Sequence, residues 1–175
     1  SCSLIINNSL NKEKIKIFNL KKYFLHNNNQ KIFFKNKVYN NHEAQFKFLL
    51  EKKLVHPNVK VLDIGCNIGN LIELIKNKVI NAKVKGYDSN PYIQRYLKKK
   101  KYFFDYKINK DRQKFDLIVL SHSLIYIKNI NFFIKKLKSN LSNKGKIFIE
   151  LSDIFQSPYY LLMGDQYYHE LRMAF

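Results

Sequence analysis

The segment Val61-Leu-Asp-Ile-Gly-Cys-Asn-Ile-Gly69 constrains this chain more than any other. Val61 to Ile64 is a short apolar run of the kind that forms a buried strand. Gly65 and Gly69 then allow a sharp turn and let backbone approach a ligand with no side chain in the way. Leu71, Ile72, Leu74 and Ile75 follow at helical spacing over residues 70–78, and a second apolar run, Val84-Lys-Gly-Tyr87, ends on Asp88. A strand, a glycine turn, a helix and a strand closing on an acid form the frame of a nucleoside-cofactor site. The free N–H groups and positive dipole end of such a helix face the ligand.

The chain around this frame keeps alternating. A helix begins near Asn41 and runs to Glu51 with Phe46, Leu49 and Leu50 as its apolar face, and Pro57 closes it ahead of a strand over Val59 to Ile64. After Asp88 a helix starts at Ser89 or Asn90 with Pro91 in its first turn, a favoured place for proline. Tyr102 to Phe104 is read as a third strand and Phe115 to Leu120 as a fourth. A helix carrying Ile130, Phe133, Ile134 and Leu137 follows, then a turn at Asn143-Lys-Gly145 and a fifth strand over Lys146 to Leu151. Such alternation predicts an α/β fold, a Rossmann-like parallel sheet with helices on both faces. Residues 1–40, punctuated by Asn-rich turns, are expected to be an N-terminal extension or cap on a domain spanning 41–175.

Composition narrows the class. The 175 residues are 46% hydrophobic, enough for one domain with a core. No window approaches the ~20 apolar residues of a membrane span, and the N-terminus shows no signal peptide. Two cysteines, Cys2 and Cys66, cannot build a disulfide framework or a zinc cluster. A cytoplasmic protein is expected, with no metal site. The net charge of +19 invites a nucleic-acid partner. Against it, the positive charge is nearly all lysine, and only Arg95, Arg112 and Arg172 offer the guanidinium favoured for bidentate phosphate contacts. The runs Lys98 to Lys101 and Lys135-Lys136 read as solvated faces.

The turn itself separates cofactors. Dinucleotide folds place G-x-G-x-x-G here, whereas this chain has Gly65-Cys66-Asn67-Ile68-Gly69-Asn70, without the second and third glycines. Asp63, just before the turn, repels a pyrophosphate and suits a ligand carrying an ammonium and a sulfonium. Asp63-Ile-Gly-Cys-Asn-Ile-Gly69 resembles motif I of class I S-adenosylmethionine-dependent methyltransferases. The resemblance implies that fold, S-adenosylmethionine as cofactor and methyl transfer as the activity. It implies cofactor-binding roles for Asp63, Gly65, Cys66, Asn67, Gly69, Ser89 and Ser121. Asp88 falls where the family places the acid that accepts from both ribose hydroxyls, and Asp105 near the adenine contact. Cys66 reads as a packed turn residue rather than a reactive thiol. Asn90-Pro91-Tyr92 resembles part of the Asn-Pro-Pro-Tyr motif of nucleic-acid amino-methylating enzymes, but it follows the second strand rather than the fourth.

The acceptor side resembles a narrower group. Tyr167-Tyr168-His169-Glu170, beyond Pro158-Tyr159, is similar to the Tyr-His-Glu-His stretch of sugar C-methyltransferases, whose motif I also tends to carry Asn at the position of Asn67. The departures are Leu171 in place of that group's second His, His122 and Tyr126 in place of its Asn and His, and no cysteine-rich zinc domain. The resemblance therefore points to methyl transfer onto a small polar acceptor. O-methylation of a saccharide, a sugar precursor or a phosphorylated metabolite, as in surface-glycan biosynthesis, is the expectation. His169, Glu170 and His122 are the candidate general bases, histidine because its unperturbed pKa lies near neutrality. The competing readings are an RNA or protein methyltransferase and a non-catalytic cofactor-binding scaffold. The family sheet has seven strands and the sequence shows five, so its last strands are expected to be missing.

Overall fold

A computed structural model describes residues 31–109, 112–152 and 170–174. The chain opens with a hairpin, β1 (Lys31–Phe34) and β2 (Lys37–Asn40), paired antiparallel. Its two-residue turn has Lys35 at φ 48° and Asn36 at φ 62°. Two successive left-handed residues make the turn type that matches strand twist. The sequence reading gave residues 31–40 no regular structure, because Lys-Asn is a weaker signal for this turn than Asn-Gly. The hairpin lies along α1 (Asn41–Glu51): Lys35 Nζ meets Glu51 Oε2 at 2.6 Å, and Lys47 Nζ stands 4.7 Å from the Tyr39 ring centre.

The remaining elements are β3 (Lys60–Ile64), α2 (Asn70–Lys78), β4 (Lys83–Tyr87), α3 (Pro91–Lys99), β5 (Phe115–Ser121), α4 (Ile130–Asn140), β6 (Leu141–Ser152) and β7 (Glu170–Ala174). The sheet order is β4-β3-β5-β6-β7, parallel except for β7, which runs antiparallel to β6. The α/β parallel-sheet expectation holds, with two changes in its strands. Tyr102 to Phe104 forms only an isolated bridge, Gly86 to Phe103. Lys101 at φ 61° precedes it, and the Asp105 carboxylate, accepting from Lys107 N at 3.0 Å, starts a turn just after it. Conversely Glu170–Ala174, a stretch in which the sequence reading placed no strand, pairs with Ser152 back to Phe148.

The strands alternate between two cores, as a pleat requires. Val61, Leu117, Val119 and Phe148 face one side, where α1, α2 and α3 cover them with Leu49, Ile72, Ile75, Ile93 and Leu97. Leu62, Ile64, Ile118 and Leu120 face the other, against Phe133 and Leu137 of α4. α1 is rotated from its expected face: Leu50 is 43% exposed, whereas Gln45 is buried. The expected turn at residues 143–145 lies within β6, in a bulge where Leu141 pairs with Phe115 and Lys146 with Leu117. Asp116 anchors this irregularity by accepting from Ser142 Oγ at 2.9 Å and from Lys60 N at 3.0 Å.

Candidate active site

Parallel register brings the carboxyl ends of β3, β4 and β5 to one edge of the sheet, Ile64 beside both Tyr87 and Leu120. Ligands bind at such edges in open α/β sheets, where the strand order reverses. The motif begins there. Gly65 at φ 81°, Asn67 at φ 50° and Gly69 at φ 83° carry the chain from β3 into α2. Gly65 N and Cys66 N both donate to Tyr87 O, at 2.7 and 3.2 Å, and Gly69 N donates to Cys66 O at 2.9 Å. Three other described helices begin with Asn residues, and those of α3 and α4 accept from backbone N–H groups at 2.9 and 3.0 Å. α2 begins with Gly69 and no side-chain cap, which leaves its first-turn donors turned toward the edge.

Gly65 is required twice. A Cβ there would stand 2.6 Å from Ser123 Cβ, and its backbone is left-handed. Gly65→Ala is expected to destabilise the fold by about 2–4 kcal/mol, from left-handed strain plus overpacking. Urea denaturation measures this, and a loss below about 1 kcal/mol would show that Ser123 moves aside freely. Ser123 Oγ also donates to Ile64 O at 2.9 Å, so the β5 loop is tied to the turn.

Asp88 joins the two halves of the frame. Its Oδ2 accepts from Asn67 N at 3.0 Å and its Oδ1 from Asn90 N at 2.8 Å. Burial raises its pKa, and bonds from the Asn90, Asn67 and Ser89 N–H groups oppose the rise. Asp63 is buried beneath the turn, and its carboxylate accepts no hydrogen bond among the described residues. Burial, then the negative charges of Asp88 and Glu150, push its pKa up to about 7. Among the described residues no ammonium or guanidinium pairs with Asp63 or Asp88. Asn67 Oδ1 is likewise buried without a hydrogen-bond partner. The site is thus rich in negative charge and acceptors and wants a cation and donors.

The other expected residues fall into place unevenly. Cys66 is buried, its Sγ against the Gly86 backbone and its pKa raised well above the thiol range by burial first. It packs the turn and is not a poised nucleophile. Ser89 is exposed beside Asp88. Asp105 lies two residues past Phe103 of the Gly86–Phe103 bridge, as Asp88 lies two residues past Gly86. Ser121 ends β5, and its hydroxyl donates to Glu150 Oε2 at 2.7 Å while accepting from Gln45 Nε2 at 2.6 Å. His122 follows at φ 50°, half-buried, its N–H donating to Glu150 O at 2.9 Å. Tyr126, which stands in place of the resembling group's histidine, is 67% exposed. His169 lies outside the described residues, and Glu170 begins β7 opposite Ser152. Gln45 and Glu150 went unread in the sequence. The visible sign was a carboxylate ending the apolar run Ile147-Phe-Ile149.

Two further features lie outside this edge. A cavity of about 300 Å³ lined by Lys107, Arg112, Lys114 and Lys136 adjoins the start of β5, the opposite end of the sheet. Among the described residues no helix is long and apolar enough to cross a membrane, and no His, Cys, Asp and Glu group could hold a metal.

A parallel sheet with an uncapped glycine-turn helix and an acid at the end of the next strand defines a nucleoside-binding α/β domain. The profile of the family described as methyltransferase domain matches residues 18–173, and the chain belongs to that family. It is 32% identical over 120 residues to the ubiquinone biosynthesis O-methyltransferase of Pelagibacter ubique, covering 63% of this chain and 49% of that protein. It is 28% identical over 118 residues to the (S)-tetrahydroprotoberberine N-methyltransferase of Eschscholzia californica, covering 62% of this chain and 34% of that protein. The chain thus spans half or less of the length of these curated relatives. Among solved structures it resembles coclaurine N-methyltransferase bound to N-methylheliamine and SAH, with TM-score 0.59 and 19% identity over 74% of this chain and 44% of that one. It also resembles a SAM-dependent methyltransferase from Archaeoglobus fulgidus, with TM-score 0.53 and 21% identity over 70% of this chain and 58% of that one. These structural likenesses concern the fold. Neither curated relative is named as a sugar methyltransferase.

Proposed function

We propose that this chain binds S-adenosylmethionine at the carboxyl edge of β3 and β4 and transfers its methyl group to a small-molecule acceptor. The observation that carries the reading is Asp63, a buried carboxylate with no cation and no donor beside an uncapped helix and Asp88. When bound, S-adenosylmethionine supplies an already activated methyl on a sulfonium. The positively charged methionine end answers the charge of Asp63. Asp88 commits only part of its roughly four lone-pair sites to backbone N–H groups, and the remaining capacity is left for the ribose hydroxyls. Gly65 and Gly69 admit the ligand against bare backbone, the Asn67 amide oxygen takes a ligand donor, and Asp105 and Ser89 flank the adenosine end. Cys66 and Ser121, committed to packing and to the Glu150 network, support the site from behind.

His122 is the general base we favour among His122, His169 and Glu170, because it stands on the loop that Ser123 ties to the motif turn. A hydroxyl or amine acceptor fits the O- and N-methyltransferases among the relatives. They do not support a saccharide acceptor or the sugar C-methyltransferase likeness. The hairpin along α1 is read as the cap of the domain over 41–175.

Proton linkage tests the cofactor reading. Asp63 ionises near its ordinary value of 3.8 when unfolded but holds its proton to about 7 when folded. Its raised value means that the folded state binds the extra proton, so this group's contribution to stability falls as pH rises from about 4 to about 7. A cationic ligand favours the ionised form. Below about pH 7 its binding should therefore release a proton, and affinity should climb with pH by up to about tenfold per unit before levelling off. Calorimetry with S-adenosylmethionine in buffers of different ionisation enthalpy counts that proton. Binding with no proton exchange near pH 6, or an Asp63→Asn variant that exchanges protons as the wild type does, would refute the assignment.

A further inference from the structure

The four cations around the cavity at the start of β5 have no role in the reading above. Lys107, Arg112 and Lys114 come from the loop that leads into β5, and Lys136 comes from α4. Arg112 is one of only three arginines in the chain. Among the described residues no carboxylate forms an ion pair with any of the four. Asp105, two residues before Lys107, acts on that ammonium at longer range, and the Tyr87 hydroxyl bonds to it. Lys114 Nζ donates to Ser139 O at 2.7 Å, and Lys136 Nζ lies 5.4 Å from the Phe132 ring centre. Four like charges around about 300 Å³ repel one another, and an anion among them relieves that repulsion.

The loop carrying three of these cations is fastened to α4. Asn140, the last residue of α4, is fully buried. Its Nδ2 donates to Tyr106 O at 3.0 Å and to Lys136 O at 2.7 Å, and its Oδ1 accepts from Asn109 Nδ2 at 2.6 Å. Asn109 bonds Gln113 twice, donating to its O at 2.9 Å and accepting from its N at 2.9 Å. A buried amide network with its bonds made holds backbone rigidly. The two segments that bear the cations are therefore set against each other before any ligand arrives, so less freedom is lost at binding.

We infer that this cavity is a second ligand site, one that takes the pyrophosphate group of a small molecule. It lies away from the carboxyl edge of the sheet, and the inference does not rest on the cofactor reading. A guanidinium matches phosphate oxygens with two parallel bonds, and the ammonium groups add point charges around them. A pyrophosphate packs several negative charges into two tetrahedra, whereas a lone carboxylate would leave most of the four cations unbalanced. The volume is that of a small-ligand pocket. A nucleic-acid strand asks in addition for exposed rings on which its bases stack. Tyr106, which lines the cavity, is instead buried and set edge-on to Tyr87 and Phe133.

The test is calorimetry on the full chain with inorganic pyrophosphate at fixed ionic strength. Saturable binding with a Kd of about 1 mM or tighter is expected. Arg112→Gln combined with Lys136→Gln should weaken it by about tenfold or more, because two charge-assisted contacts are lost. A chain of net charge +19 attracts anions over its whole surface, so the control removes the same charge elsewhere. Lys98→Gln combined with Lys99→Gln, on α3, should stay within about twofold of wild type. The pyrophosphate-induced rise in Tm should likewise vanish in the first pair and persist in the second. Adenosine diphosphate separates the sources of the group. Tighter binding than pyrophosphate, lost in the Arg112 pair, identifies a nucleotide, and equal binding identifies the free anion. Equal weakening by the two double variants, or no saturation of the wild type, overturns the inference. So does a single-stranded RNA that saturates the protein where pyrophosphate does not.

Discussion

Replacing Asp88 by alanine should weaken S-adenosylhomocysteine binding by about a hundredfold to a thousandfold, as expected when two or more hydrogen bonds to a charged group are lost together. Two effects coincide. The carboxylate oxygens that would receive the ribose hydroxyls disappear. The Asn67 and Asn90 N–H groups also lose their acceptor, so the turn after β3 and the start of α3 come apart. Asp88→Asn separates the effects. Its amide oxygen still accepts one backbone N–H, but the charge is gone and an NH2 group faces the other donor. It should fall between wild type and alanine in affinity and stay closer to wild type in urea midpoint. Calorimetry of the three proteins checks this. An alanine variant that binds within about threefold of wild type would remove Asp88 from the cofactor site.

The second large effect is expected at His122. Its φ of 50° lies in the left-handed region, which most side chains avoid. Strained residues of this kind gather at functional sites. Asparagine tolerates that conformation and cannot act as a base, so His122→Asn removes the proton acceptor with little backbone penalty. Turnover with a hydroxyl acceptor should drop by about a hundredfold to ten-thousandfold, and cofactor affinity should stay within about threefold. Single-turnover kinetics with labelled S-adenosylmethionine, paired with calorimetry, resolves the two. If turnover survives in His122→Asn and vanishes in His169→Asn, the base is His169.

The cofactor half of the site was largely legible because its determinants are local. Gly65 and Gly69 sit where the backbone is left-handed, and Asn90 and Pro91 set the start of α3. The run Val61 to Ile64 carries its own strand signal. Local patterning failed where pairing decides. The apolar run Tyr102 to Phe104 has strand composition, but turns on both sides leave it a single bridge. Glu170–Ala174 has weak strand composition and becomes a strand because β6 offers it an edge. On α1, a purely hydrophobic reading chose Leu50 and passed over Gln45.

By itself, then, the sequence determined the strand–turn–helix–strand frame, the acids at Asp63 and Asp88 and the membership of the chain in a nucleoside-cofactor class. Each depends on backbone preferences acting over a few residues. Only the tertiary structure decided that Gln45 of α1 meets Glu150 of β6 beside Ser121. Gln45 and Glu150 are 105 residues apart in the chain. Their meeting follows from the parallel register that aligns β3, β5 and β6, and from the rotation of α1 that turns Gln45 inward. Neither is encoded in any short stretch of residues.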